Sequence, residues 1–334
     1  MSKLLSICIP TYNRSQFLPE TLQSIFSQHI DDIEVVVCDN GSEDQTIEVM
    51  KQMQITYPQI LYFRFEKNVG PDRCFLKSVE IASGEYCWLL GDDDILEPGS
   101  IALVLTKIRM FPELSGLTVN RYAYDSKLQL RWIEPPIVKT QKDLLFKEAN
   151  SCLSSLFLLF GFLSAQVVKR AKWLEVGNSE DITPYFTAYV LVYIIGRMIQ
   201  KDPFWLYVHT PCVGWRSGND SFAKELGRYK RFELDVIGYH KIITGLCKAD
   251  LLLQKKLMNQ VCRVHLCSHM KEIRLHYDVK GLVSMSWRVC FPRLKNISSF
   301  WYMLLPAIVA PCQMLGLLRQ VYRLLFKKKT SSIG

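Results

Sequence analysis

The densest chemistry in this sequence is three consecutive carboxylates, Asp92, Asp93 and Asp94, which follow Gly91 and the apolar run Tyr86-Cys87-Trp88-Leu89-Leu90. Adjacent negative charges at the end of a buried strand repel one another and are costly to desolvate. Bulk water makes such a cluster tolerable, and so does a hard divalent cation with oxygen ligands. A surface turn is therefore one reading of the triplet and a cation site the other. Pro98-Gly99-Ser100 and the helical spacing of Ile101, Leu103, Val104, Leu105 and Ile108 favour the cation site. They put the acids in a strand-to-helix crevice, where open α/β sheets bind ligands. Asp39 ends a second apolar run, where it either caps the turn through Gly41, meets a ligand, or does both. Arg73 opens a helix and offers a planar fork for phosphate oxygens. His209 and Arg216 lie in HTPCVGWRSGNDSF, a stretch rich in turn residues that reads as a loop. His209 is a candidate additional metal ligand, although a lone His is more often structural.

The elements that must position these residues alternate. Leu4–Ile9, Ile33–Cys38, Leu61–Phe65 and the run before the triplet read as strands. Helical spacing recurs between them, at Phe17–Phe26, at Ile47–Met53 and from Asn68 to Ala82. Near-continuous apolar strands joined by helices imply a parallel sheet covered on both faces. The exit of the first strand, Asp39 and the triplet would then share its carboxyl edge. Ser115–Tyr124 reads as a further strand, and Ala149–Val168, uncharged over 20 residues, as a buried helix followed by a strand. Ala188–Gly196 reads as a buried helix, and residues 223–290 as mostly helical.

The chain has 334 residues, 49% of them hydrophobic and 22% charged, which suits a packed core and excludes a disordered chain. No secretory leader is legible at Met1–Pro10, and the eleven cysteines, several inside strand-like runs, read as reduced thiols. The charge is uneven. Leu251–Gly334 holds 14 Lys or Arg against Glu272 and Asp278, a net of +12 in a chain whose total is +9. Ile297–Leu318 is uncharged over 22 residues and is followed by Arg319, Arg323 and Lys327–Lys329. Pro306 and Pro311 and the basic cluster favour a kinked, interfacial membrane segment over a span. The uncharged run fits lipid better than a phosphate backbone, so nucleic acid is not an expected partner. Cys262-x-x-His265-x-Cys267-x-His269 lacks the paired Cys-x-x-Cys of zinc sites, and its spacings spread over more than one helix face.

Cys8-Ile9-Pro10-Thr11-Tyr12-Asn13-Arg14, Val37-Cys38-Asp39-Asn40-Gly41-Ser42-Glu43-Asp44 and Gly84-Glu85-Tyr86 leading into the Asp triplet and Pro98-Gly99 together resemble the bacterial family-2 glycosyltransferases with the GT-A fold. Asn68–Arg73, Phe75-Leu76, Phe162-Leu163-Ser164, Lys169–Trp173 and Arg216–Phe222 resemble the O-antigen abequosyltransferases within them. Gly91 departs from the pattern, in which an Asp often opens the carboxylate motif. The resemblance implies an α/β, Rossmann-like, mostly parallel sheet with helices on both faces, followed by a helical C-terminal membrane-associating region. It implies a metal-assisted glycosyltransferase that moves abequose or a related dideoxyhexose from a CDP-sugar to an oligosaccharide linked to undecaprenyl diphosphate, at the cytoplasmic face of the inner membrane. The alternatives are a UDP-, GDP- or dTDP-sugar donor in polysaccharide synthesis, or a non-enzymatic membrane scaffold with a degenerate transferase fold.

By the same resemblance, Asp94 and Asp93 would hold Mn²⁺ or Mg²⁺. Asp93 and Asp92 would meet the donor, Asp39 its base, and Pro10, Thr11 and Asn13 the base and ribose. Arg73 and Arg216 would contact the diphosphate. Diphosphate departure calls for positive charge, and an inverting transfer calls for a general base. Asp181 or Glu180 stands roughly where similar proteins carry that base, although Asp181 also suits a helix N-cap. The expected organisation is a catalytic domain over 1–222, with a donor half to about 115 and an acceptor half from 116. A helical extension over 223–296 and an apolar, basic tail over 297–334 would follow.

Overall fold

The computed structural model describes residues 3–132, 138, 140–274 and 279–309. The chain forms two compact units, Met1–Asp220 and Ser221–Gly334. The first is built on one sheet. Its strands are β1 (Leu5–Thr11), β2 (Ile33–Asp39), β3 (Ile60–Arg64), β4 (Tyr86–Leu89), β5 (Ile95–Leu96), β6 (Gly116–Tyr124), β7 (Arg131–Trp132), β8 (Leu144–Phe146), β9 (Gln166–Lys169) and β10 (Trp205–Arg216). The main path runs β3-β2-β1-β4-β9-β6-β10-β5, with β7 beside β6 and β8 beside β10.

The first four strands pair in parallel, as their unbroken apolar runs predict. Every residue of β1 and β4 is buried. The crossovers are α1 (Leu18–Phe26), α2 (Thr46–Thr56) and α3 (Pro71–Glu80), and α4 (Ser100–Met110) follows the triplet. Register fixes the functional edge. Thr11, Asp39 and Arg64 occupy one rung, so three strands deliver their last residues side by side. Leu89 pairs with Cys8, so the segment after β4 runs beside the exit of β1.

Past the triplet the sheet is mixed. β9 lies antiparallel to both β4 and β6, while β6 and β10 run parallel. The uncharged stretch from Ala149 is α5 (Ala149–Phe160), a short turn and β9, so its apolar content goes into the core. α6 (Arg170–Ser179) and α7 (Val190–Lys201) complete the unit. One expectation is corrected here. Residues 209–216 are not a loop but the second half of β10. The turn-like residues are absorbed by register shifts on either side of Pro211, and a proline, which has no N–H for the ladder, is tolerated at such irregularities.

The second unit is helical over its described residues: α8 (Ser221–Leu226), α9 (Arg228–Leu246), α10 (Leu251–Gln260), α11 (Cys267–Arg274), α12 (Val279–Met285), α13 (Phe291–Leu294) and α14 (Leu305–Val309). π-helical turns at Val261–Leu266, Ser286–Cys290 and Phe300–Leu304 interrupt the series. Among the described residues no helix is long and apolar enough to cross a membrane. Pro311 and the basic cluster from Arg319 to Lys329 lie outside the described residues. The ten described cysteines are all buried, with no disulfide among them.

The sheet is tightly packed at Gly116. A Cβ there would stand 2.5 Å from the Trp205 ring and 2.6 Å from the Val167 carbonyl oxygen. Trp205 is fully buried and donates from Nε1 to Thr118 Oγ1 at 3.0 Å, so it cannot swing aside. Gly116→Ala is expected to destabilise the protein by about 1–3 kcal/mol through overpacking. Gly177→Ala, where a Cβ would meet nothing within 4 Å, is expected to be neutral or stabilising by up to about 1 kcal/mol. Paired denaturant melts read the contrast.

Candidate active site

The carboxylate triplet sits beneath the edge where β1 and β2 end. Asp94 is almost fully buried. Its Oδ2 accepts from Ser164 Oγ at 2.5 Å, and its Oδ1 accepts from the Arg216 backbone N–H at 3.1 Å. Asp93 Oδ2 accepts from Asn219 Nδ2 at 2.6 Å. Asp92 Oδ1 lies 3.7 Å from Arg14 Nε. The backbone of the turn is held as well, because Thr21 Oγ1 lies 3.0 Å and 2.8 Å from the Asp92 and Asp94 carbonyl oxygens. Gly91 is closely packed against the cluster. A Cβ there would lie 3.1 Å from Ser164 Oγ and 3.3 Å from Asp94 Oδ2.

These contacts do not cancel the cost of clustering. Burial, then the charge of Asp93, pushes the Asp92 carboxyl up to about 7. The same two causes push Asp94 up to about 8, against the opposing bond from Ser164. Asp93 is also raised, chiefly by burial. Three crowded oxygen donors with a raised affinity for protons are a suitable donor set for a hard divalent cation, which would take the place of those protons. The residues present therefore fit such an ion.

Arg216 ends β10 and is buried among protein groups. Its Nε donates to the Asp93 carbonyl oxygen at 2.8 Å, Nη1 to that of Ser126 at 3.0 Å, and Nη2 to Glu20 Oε2 at 2.5 Å. The expectation of a loop arginine at the diphosphate is thus corrected: Arg216 ends a strand and holds the triplet in place. Its guanidinium lies over the Phe17 ring at 4.9 Å, and that of Arg14 lies over the same ring at 5.5 Å. Arg14 also donates to Asn219 Oδ1 at 3.1 Å. Two buried cations and one aromatic ring therefore carry the acids from behind.

Asp39 is fully buried at the end of β2. Oδ1 accepts from the Ser42 N–H at 2.8 Å and from Ser42 Oγ at 2.6 Å, and Oδ2 accepts from Tyr62 Oη at 2.7 Å. It thus caps its own turn, which needs Gly41 at φ 77°. Asn13, itself at φ 53°, accepts from the Glu43 N–H at 2.8 Å, while its own N–H donates to Ser42 Oγ at 2.9 Å. The loops after β1 and β2 are therefore stapled together, and Pro10, Thr11, Asn13 and Asp39 form one edge. Arg73 is exposed in the first turn of α3, with its guanidinium over the Phe186 ring at 5.3 Å and Nη1 donating to the Val69 carbonyl oxygen at 3.3 Å. Its neighbour Asp72 is buried and accepts from the Ala188 and Val190 N–H groups at 2.7 and 2.9 Å, capping α7.

Two further expectations are corrected. His209 lies on β10, its N–H donating to Asp143 Oδ1 at 2.9 Å and its carbonyl oxygen accepting from Asn120 Nδ2 at 2.9 Å. Asp94 meets the other end of that strand at Arg216, opposite Tyr124. Four rungs of β6 separate the two places, roughly 13 Å at strand rise, so His209 cannot join Asp94 on one ion. Glu180 faces Arg197, accepting at 2.8–3.0 Å, and Tyr193 Oη at 3.0 Å. The Arg197 hydrogen bonds hold its carboxyl below the usual range, which makes it a poor proton acceptor. Asp181 is exposed and uses Oδ1 to accept from the Thr183 N–H at 3.0 Å.

Arg14, Ser164 and Asn219 are the functional neighbours that sequence reasoning assigned no role. Each lies in a segment that carries the family resemblance, but their convergence on the acids depends on β9 and β10 returning to β4.

Mixed-sheet topology with a parallel nucleotide-type half and an acidic crevice defines a GT-A-like transferase. The glycosyl transferase family 2 model matches residues 6–163. The chain is 32% identical over 268 residues to abequosyltransferase RfbV of Salmonella typhimurium, covering 77% of this chain and 79% of that one. It therefore belongs to glycosyltransferase family 2 and is a nucleotide-sugar-dependent glycosyltransferase. Over 104 residues it is 34% identical to the GalNAc(5)-diNAcBac-PP-undecaprenol beta-1,3-glucosyltransferase of Campylobacter jejuni, covering 31% of this chain and 34% of that one. The structure of S. aureus TarS 1–349 in complex with UDP shares the fold at a TM-score of 0.61 and 15% identity, covering 96% of this chain and 91% of that one.

The raised carboxyls set a pH dependence. Groups that titrate near 4 when unfolded and near 7–8 when folded make the folded state bind more protons, so their stabilising contribution is complete below pH 4 and is lost as pH rises towards 8. The metal-free protein is expected to melt at a lower temperature at pH 8.5 than at pH 6. Mn²⁺ is expected to raise the midpoint more at pH 8.5, and Asp94→Asn to flatten both trends. Thermal scans with and without Mn²⁺ measure this.

Proposed function

We propose that this glycosyltransferase moves abequose or a related dideoxyhexose from its CDP-activated form to a lipid-linked O-antigen oligosaccharide at the cytoplasmic face of the inner membrane. The observation that carries the reading is the 32% identity to abequosyltransferase RfbV over 77% of the chain, which extends well beyond the region matched by the family model. The stapled edge of Pro10, Thr11, Asn13 and Asp39 would receive the pyrimidine and ribose, and Arg73 the diphosphate. Asp94 and Asp93 would hold Mn²⁺ or Mg²⁺, with Asp92 beside them. A divalent cation bound there supplies positive charge to the departing diphosphate. Arg216, Arg14 and Ser164 keep the acids aimed without touching the donor.

Asp181 is the candidate base for the acceptor hydroxyl, since only Oδ1 is used in capping the following turn. A lipid-linked acceptor calls for a site near the membrane surface. Trp301, Tyr302 and Met303 are exposed at the described end of the tail and suit an interfacial contact.

Calorimetry against CDP, UDP, GDP and dTDP, with and without Mn²⁺, tests the donor. A metal-dependent preference for CDP is expected, and a preference for another base would remove the dideoxyhexose assignment. Asp181→Asn is expected to lower kcat by about 10²–10⁴-fold with little change in donor affinity. Glu180→Gln is expected to lower the melting temperature more than the turnover. Steady-state transfer assays on both variants read the split.

A further inference from the structure

The second unit holds a side-chain cluster with no part in the chemistry above. Asp235, on α9, is fully buried. Its Oδ2 lies 3.1 Å from His265 Nε2 and 2.8 Å from His269 Nδ1. The three donor atoms lie within 4.8 Å of one another. His265 sits in the π-helical turn Val261–Leu266, and His269 follows on α11, so both rings present one face to α9. Such widened turns are rare and frequently lie at functional sites. The two cysteines of the same sequence stretch do not join the cluster: Cys262 and Cys267 are buried and interact with each other.

We propose that Asp235, His265 and His269 form a zinc site that clips the π-helical turn to α9. Tetrahedral zinc with nitrogen and oxygen ligands at about 2.0–2.2 Å places those ligands about 3.3 Å apart. The two edges to Asp235, 3.1 and 2.8 Å, lie slightly inside that spacing, and all three donor atoms lie within 4.8 Å of one another, so a small outward shift opens the triangle for the ion. His265 Nε2 is buried 3.1 Å from Asp235 Oδ2 without a well-aligned hydrogen bond between the two, a placement that suits two ligands of one ion. Arg231 Nη1 engages Asp235 Oδ1, which leaves Oδ2 turned to the histidines and supplies the supporting contact that ligating carboxylates commonly have. The Tyr239 ring meets that of His265 edge-on at 5.2 Å and restrains it. Both histidine side chains are 26% exposed, so water can reach the fourth position. Two imidazoles and one carboxylate favour Zn²⁺ over Mg²⁺ or Mn²⁺, the reverse of the carboxylate-only triplet.

The different donor sets make the two sites separable. Full-length protein stripped with EDTA is titrated with ZnCl₂ by calorimetry, and zinc X-ray absorption is recorded on the loaded protein. The expected result is one tight Zn²⁺ with imidazole scattering and only nitrogen or oxygen at about 2.0 Å. Affinity should be unchanged in Asp94→Asn and at least about 10-fold weaker in His269→Gln, the lower end of the loss expected when a zinc site is perturbed. Zinc should also raise the melting midpoint of the wild-type chain but not that of His269→Gln. If His269→Gln does not fold, the wild-type absorption spectrum decides alone. Absence of tight zinc, a zinc–sulfur distance of about 2.3 Å, or equal affinity in a folded His269→Gln would overturn the site and leave an ion-paired cluster.

Discussion

Three carboxylates that cannot escape one another govern the first unit. Burying Asp92, Asp93 and Asp94 at a strand end raises their affinity for protons, and no single neighbour offsets the repulsion. The surroundings read as a response to that constraint. Ser164 and the Arg216 N–H share Asp94, Asn219 holds Asp93, and Arg14 faces Asp92. The remaining imbalance favours a cation, so the property that makes the cluster unfavourable in isolation suits it to a leaving group that is itself anionic.

The supporting parts are long-range in sequence and short-range in space. Arg14 comes from the first loop, Ser164 from the turn before β9, and Arg216 and Asn219 from the end of β10 and the residues after it. Both guanidiniums lie over the Phe17 ring, so charge and aromatic surface are packed together. The edge of Pro10, Thr11, Asn13 and Asp39 is built differently, from local turns. Asp39 closes its own turn, and Asn13 ties the preceding loop to it. A rigid edge of this kind would present backbone and side-chain groups to a ligand with little left to order on binding.

The second unit follows another logic. Its described helices are broken by π-helical turns, and one of these turns carries the histidine that meets Asp235. A buried carboxylate there is compensated by two imidazoles and Arg231. The second unit thus carries its own electrostatic constraint, a single buried carboxylate met by imidazole and guanidinium groups.

The strand–helix alternation to residue 110, the parallel pairing of the first four strands and the placement of Asp39 and the triplet at their ends were legible in the sequence. Apolar periodicity is a local property, and parallel pairing of all-apolar strands follows from it. The buried fate of Ala149–Val168 was legible for the same reason. The role of Arg216, the strand nature of 209–216 and the separation of His209 from the carboxylate triplet were decided only by tertiary structure. Proline, glycine and serine make β10 look like a loop until β6 supplies its ladder, and the separation of His209 from Asp94 exists only along that ladder. Glu180 and Asp181 are adjacent acids with similar local sequence. Arg197, which lies one helix away and which the local sequence does not reveal, is what distinguishes them. The meeting of His265 and His269 with Asp235 likewise rests on a partner thirty residues upstream, because spacing along one helix shows which residues share a face but not what that face will meet.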